Sequence, residues 1–216
     1  MAGNVAAVRA LLRSAEDRLG VRRSGSISSA SASLAVPEGW RAAFPYGLPI
    51  AGVLSVGGVQ VEIVQALLAG LASRQGAWVA CLGGPRYSWS FLQACGIAAD
   101  RFVQLPHLSA VTAMNLLSVA VRGFGVVLSF HLPLSSAQQY VLSRQAQQSG
   151  SLLIASEWER PLMRVNCSVM GVQGLDRGAG HLSRIDYLLD SPYGELRLGY
   201  SASGWEPIHT ELRAVQ

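Results

Sequence analysis

The chain has 216 residues, half of them hydrophobic and only 14% charged, with a net charge of +4 and an isoelectric point near 9.3. That length suits one domain with a core of ordinary size, and the composition excludes a disordered chain. No stretch approaches the roughly 18 unbroken apolar residues of a membrane span.

The opening, MAGNVAAVRALLRSAEDRLG, carries charges among its apolar residues and lacks the clean apolar run of a secretion signal, so a cytoplasmic protein is expected. Residues 4–20 read as an amphipathic helix. Val5, Val8, Leu12, Ala15 and Leu19 recur at spacings of three and four, Asn4 can cap the helix and Gly20 can end it. SGSISSASAS, from Ser24 to Ser33, follows as a flexible linker. A helical stripe on such a linker buries itself against its own domain, a second copy or a partner.

From Leu34 onward, short apolar runs alternate with helical patterns. GVLSV (Gly52 to Val56), AWVACL (Ala77 to Leu82), RFVQLP (Arg101 to Pro106), FGVVLSF (Phe124 to Phe130) and SLLIAS (Ser151 to Ser156) read as strands. Val61 to Arg74, Trp89 to Ala94, Val111 to Val121, and a segment capped by Ser135 or Ser136 that runs to about Gln148 read as helices. This alternation predicts an α/β fold, a mostly parallel sheet with helices on both faces. After Trp158 the pattern changes to strict alternation, in RVNCSVMGVQGL, HLSRIDYLLD and GELRLGYS, which predicts antiparallel strands at the sheet edge. The expected units are a helical arm over 1–22, a linker over 23–36, a core over 37–199 and a C-terminal tail over 200–216.

Little in the sequence points to catalysis. Cys81, Cys95 and Cys167 are far apart, share no metal-ligand spacing and are odd in number, as expected of buried reduced thiols. His107, His131, His181 and His209 are scattered, so no metal site is expected. Ser129 and His131 lie two apart, but no acid is near them in sequence and no nucleophile-elbow motif surrounds the serine.

The seventeen basic residues are all arginine, so any anion contact they make is planar and bidentate. A mild basic excess permits nucleic acid or an acidic partner without demanding either. In EWERPLMR and LDRGAGHLSR, Arg160, Arg164, Arg177 and Arg184 accompany Trp158, an arrangement suited to holding a single strand weakly. Glu157, Glu159 and Asp176 interleave and oppose it. Exposed aromatics suit a protein interface equally well. Trp40, Phe44 and Tyr46 cluster ahead of the first core strand, and Tyr200, Trp205 and Ile208 mark the C-terminal end as a docking tail.

GVLSVGGVQVEIVQALLAG, from Gly52 to Gly70, has the shape of a strand, a glycine turn and a helix. With the lead-in LAVPEGWRAAFPYGLPIAGVLSVGG and the later FGVVLSF and LSRQAQQSGSLLIAS, it resembles the RecA-like core of the P-loop NTPases over roughly residues 34–190. Within that superfamily the chain looks most similar to the ImuA branch, accessory proteins of the damage-induced mutasome; the SulA-like division inhibitors are a second resemblance. The ImuA resemblance implies ImuB, RecA or both as partners, a possible homo-oligomer, and nucleoid association during DNA damage. The SulA resemblance implies FtsZ.

A working phosphate loop needs backbone amides that cradle phosphates, a lysine, and a hydroxyl for magnesium. Gly57 and Gly58 fall in the loop, but Val61 stands near the lysine position and Glu62 near the hydroxyl position. Ser129 ends the strand where a metal-positioning aspartate belongs, and no acid occurs between Arg101 and Ser156. Gly83, Gly84 and Pro85 occupy the place of the RecA-type catalytic glutamate. The expectation is a degenerate site with no cofactor, a pseudo-ATPase. The opposite reading is a true RecA-type DNA-dependent ATPase.

Overall fold

The computed structural model of the protein describes residues 33–106, 108–176 and 179–208. The amphipathic stripe of Val5, Val8, Leu12 and Leu19, together with Arg177, His107 and His209, lies outside the described residues. The first described residues form β1 (Ser33–Leu34), which pairs antiparallel with β2 (Leu48–Pro49). The end of the expected linker is therefore already part of the fold. A 3-10 turn at Glu38–Trp40 lies between these two strands. Trp40 and Phe44 stack there with ring centroids 6.2 Å apart, and both are buried. This corrects the expectation of an exposed aromatic cluster: only Tyr46 stands out into solvent, edge-on to Tyr193.

The chain then alternates as its apolar runs predict. β3 (Gly52–Gly58) leads to α1 (Val61–Ser73), β4 (Val79–Leu82) to α2 (Trp89–Cys95), and β5 (Phe102–Leu105) to α3 (Ala110–Gly123). β6 (Val126–Ser129) leads to α4 (Ser136–Ser149) and β7 (Leu152–Ser156). Local chemistry sets the boundaries. Ser88 and Ser109 cap α2 and α3 with their hydroxyls, and Ser135 forms a reciprocal capping box with Gln138 at α4. The last stretch is β8 (Met163–Asp176), β9 (Ala179–Ser191), β10 (Gly194–Ser201) and β11 (Gly204–Pro207).

All but β1 and β2 join one nine-stranded sheet in the order β11-β10-β9-β8-β3-β7-β6-β4-β5. The six strands from β8 to β5 in that order are parallel, and β9, β10 and β11 add antiparallel to one side. Numbered in chain order, the parallel strands run 3-2-4-5-1-6 across the sheet, unlike the two common doubly wound orders. In its layering alone, a mostly parallel sheet flanked by helices, the fold is compatible with a Rossmann-type or RecA-like core. β8 corrects one expectation: it is the sixth parallel strand, paired with β3 through Leu54–Met163 to Gly58–Cys167, as well as the first arm of a hairpin.

Strand alternation divides the core into two layers. Leu54, Val56, Val79, Cys81, Leu128 and Ile154 face α1 and α2. Val53, Ala80, Val127 and Leu153 face Leu117 and Val121 of α3 and Leu142 and Ala146 of α4. Each fully buried Leu or Ile contributes about 1.5–3 kcal/mol relative to exposure. α1 is buried almost all round, and a β-carbon at Gly70 would overlap the Cys95 carbonyl, so only glycine lets α2 approach so closely.

The C-terminal residues correct the expected tail. Tyr200 belongs to β10, Trp205 to β11, and Pro207 lies against Gly39. The core thus runs from Ser33 to at least Pro207.

Candidate functional site

β3 ends at Gly57 and Gly58, and α1 opens at Val61, so the turn between them is only Val59 and Gln60. The phosphate-loop motif spaces its two invariant glycines with four residues, enough chain to wrap around phosphates. Here β3 instead stays extended and hydrogen-bonded to β8 as far as Gly58 and Cys167. Val59 N–H donates to the Cys167 carbonyl at 2.9 Å, so an amide that could face an anion is already committed. Asn166 of β8 comes up against Gly57. Gln60 adopts a left-handed conformation, φ 52°, and accepts the Tyr187 hydroxyl on Oε1 at 2.5 Å.

The two positions expected to have lost their chemistry lie in the first turn of α1. Val61 is buried in the core layer beneath the helix. The main-chain oxygen of Glu62 accepts the Tyr87 hydroxyl at 3.0 Å. Burial pushes the Tyr87 phenol well above its usual range, so it remains a donor. Ser129 is buried at the end of β6, level with Leu82 and Ala155 on the neighbouring strands. It has no carboxylate companion on those strand ends. His131 is exposed two residues on, with its main-chain N–H held by Ser156 Oγ at 2.8 Å.

A crevice of about 520 Å³ opens beyond the carboxyl ends of β4, β5 and β6. Gly83, Gly84, Ser109, Phe130, His131 and Leu132 are among its lining residues. Among the described residues, no carboxylate or thiol lines it. Among the described residues, no three His, Cys, Asp or Glu side chains come together to hold a metal ion. The cysteines are buried, and burial pushes Cys81 and Cys95 up to about 12 and Cys167 up to about 11. They are neutral packing groups at physiological pH.

Among the described residues, the expected nucleic-acid cluster does not come together on one face. Trp158 is 3% exposed, and its indole N–H donates to Ser143 Oγ at 3.0 Å. It belongs to the core layer under α3 and α4 and offers no face on which a base could stack, which corrects the sequence reading. Arg160 and Arg164 are exposed, and Arg164 donates to the Trp158 carbonyl at 2.6 Å. Arg184 sits opposite Gln173, nine residues along β8 from Arg164, or roughly 30 Å. Its guanidinium is committed to Asp186 at 2.6 Å and Glu206 at 3.0 Å.

The expected partner-binding aromatic is also packed into the fold, half-buried. Trp205 packs on Tyr187 and Tyr200, with ring centroids 5.5 Å and 4.6 Å away, and its indole nitrogen is buried. Ile208 continues from β11, its N–H held by the Arg197 carbonyl. Sequence reasoning missed Tyr187 and Asn166 as the groups that close the β3–α1 turn. The alternation Ile185, Tyr187, Leu189 marks Tyr187 as inward-facing, but only the β3–β8 pairing brings it to Gln60.

Residues 42–160, more than half of the chain, match the MT3502 N-terminal domain. The chain belongs to that family. The MT3502 N-terminal domain as matched includes the β3–α1 turn, the four α-helices among the described residues and the parallel strands from β3 to β7. β8 to β11, and with them the residues that close the turn, lie beyond the match. No curated protein is similar enough to the chain to match it. No helix among the described residues is long and apolar enough to cross a membrane.

Proposed function

We propose that the chain is a non-catalytic RecA-like accessory protein that acts through protein–protein contacts in damage-induced, error-prone DNA synthesis. The observation that carries the non-catalytic half is the β3–α1 turn: two residues long, with the β8 backbone against it and Val61 and Glu62 at the head of the helix. A turn of that length leaves no ring of free amides for a triphosphate, and no residue there supplies the cation or the hydroxyl. The mostly parallel sheet and the helices on both faces are compatible in their layering with a RecA-like core kept as a scaffold.

The mutasome half rests on the resemblance to the ImuA branch, whose partners are ImuB and RecA. In this reading Val5, Val8, Leu12 and Leu19 form a docking or self-association arm. Any DNA contact is electrostatic, made by exposed arginines such as Arg160 and Arg164, and therefore weak and salt-sensitive.

The test is affinity capture of the tagged chain from DNA-damaged cells of its own source, with nuclease treatment and mass spectrometry, beside an ATPase assay of the purified chain. Recovery of an ImuB-like subunit or RecA, without ATP turnover, is the expected result. Recovery of FtsZ without them replaces the mutasome with the SulA-like division-inhibitor reading. Turnover of ATP that disappears with a change at the β3–α1 turn overturns the non-catalytic reading.

A further inference from the structure

A groove of about 710 Å³ runs along the outer side of α4, between that helix and the turn after β7. Tyr140, Arg144 and Gln147 line the helical wall, spaced by four and three so that they share one face. Trp158 and Arg160 line the other wall. Exposed Leu162 lies beside Gln147, since both side chains approach Gly52.

Three hydrogen bonds tie the turn to the helix. The Trp158 indole N–H donates to Ser143 Oγ at 3.0 Å, Glu159 N–H donates to Gln139 Oε1 at 3.0 Å, and Ser136 Oγ donates to Glu159 Oε1 at 2.7 Å. The walls are thus pre-organised, which lowers the ordering cost of binding. The same bonds turn the groove's one carboxylate, Glu159, toward the helix. Arg144 and Arg160 have no carboxylate within ion-pair distance among the described residues. Tyr140 is 62% exposed and Leu162 60% exposed.

We propose that this groove docks an acidic segment of a protein partner, an inference that rests on reading the chain as an interaction protein. One Asp or Glu carboxylate of the segment meets the guanidiniums of Arg144 and Arg160, and a neighbouring apolar side chain packs on Tyr140. Arginine forks match carboxylates bidentately, and Tyr with Arg is the composition of energetic centres in protein interfaces. A nucleic acid fits less well. It needs a row of cations and several stacking faces, whereas the groove has two arginines and one exposed aromatic.

The experiment titrates the full chain into two fluorescein-labelled octapeptide pools that differ only in a central Glu-Leu or Gln-Leu pair. Tighter binding of the Glu pool by at least about tenfold is expected, the scale of a charge-assisted hydrogen bond. Nitrogen-15 NMR shifts should centre on Tyr140, Arg144 and Arg160. The paired substitution Arg144→Glu and Arg160→Glu should abolish the preference with an unchanged melting temperature, since both side chains are exposed. Equal binding of the two pools, no binding at millimolar peptide, shifts elsewhere, or tighter binding of octathymidylate at the same residues overturns the proposal. Capture of ImuB or RecA by wild-type and charge-reversed chains alike would overturn the groove while leaving the functional reading in place.

Discussion

Gly58, at the end of β3, lies so close to Cys167 of β8 that a β-carbon on Gly58 would overlap the Cys167 carbonyl oxygen. The same carbonyl accepts the Val59 N–H, so one oxygen both finishes the strand pairing and spends the first amide of the turn. Gly58 also has φ 93°, a left-handed value that suits glycine. Sterics and backbone conformation thus reach the same demand independently.

Gly58→Ala should therefore destabilise the fold by about 3–4 kcal/mol, through strain and through loosening of β8. For a domain of this size that lowers the melting temperature by roughly 6–16 °C. A melting temperature within two degrees of wild type would show that β8 does not close the turn as described.

Restoring the missing side chains should not restore nucleotide binding. Val61→Lys with Glu62→Thr supplies the cation and the hydroxyl at the head of α1, but the two-residue turn still presents no cradle. A nucleotide with a dissociation constant one-hundredth of its concentration would stabilise the chain by about 2.7 kcal/mol, easily seen in a melting curve. No magnesium-ATP-dependent shift is expected for wild type or the double substitution. A clear shift in either would mean that the turn opens in solution.

The succession of strands and helices was legible because the apolar runs are short, bounded by glycine or a hydroxyl cap, and differ in period. What surrounds the turn was not legible, because it depends on pairing across more than a hundred residues. The alternation of Met163, Val165 and Cys167 reports that one face of β8 is solvated; it says nothing about whether the neighbouring strand is parallel. Trp158, flanked by Glu157 and Glu159, reads as exposed. Yet Glu157 takes a left-handed turn, φ 55°, that sends Trp158 inward, where its N–H meets Ser55 Oγ and its indole meets Ser143. Arg184 reads as a free cation because Glu206, one of its two partners, is 22 residues away and two strands across.

Removing the residues after Ser203 should destabilise the fold, not merely release a partner. The cut deletes β11 and uncovers Tyr187 and Tyr200, which Trp205 covers. Trp205→Ala should cost about 3 kcal/mol, the low end for large aromatic truncations because the ring is only partly buried. Thermal denaturation of both variants reads this directly, and unchanged stability of the truncated chain would return residues 204–208 to the status of a tail.

Gln65, on α1, is fully buried, and neither atom of its amide has a hydrogen-bond partner among the described residues. An unpaired buried amide costs about 1–3 kcal/mol. Met has a similar shape and no such need, so Gln65→Met should raise the melting temperature by several degrees. A lower melting temperature would mean that the amide is satisfied in solution by water held in the core.

Stability should fall steeply in alkali. Burial holds Cys81 and Cys95 near 12, Cys167 near 11 and Tyr187 near 12 in the folded chain, whereas a thiol of the unfolded chain titrates near 9. Below pH 9 the thiols are protonated in both states, and their contribution is fully present. Above it the unfolded chain sheds protons that the folded chain retains, so stability is lost as pH climbs toward the folded values. The urea midpoint should be flat from pH 7 to about 8.5 and drop between about 9 and 11. Cys81→Ala should make that drop shallower by the share of one ionising group, on top of a pH-independent loss from the void left by the buried sulfur. A midpoint that stays level to pH 11 would show that the thiols are reached by solvent in the folded chain.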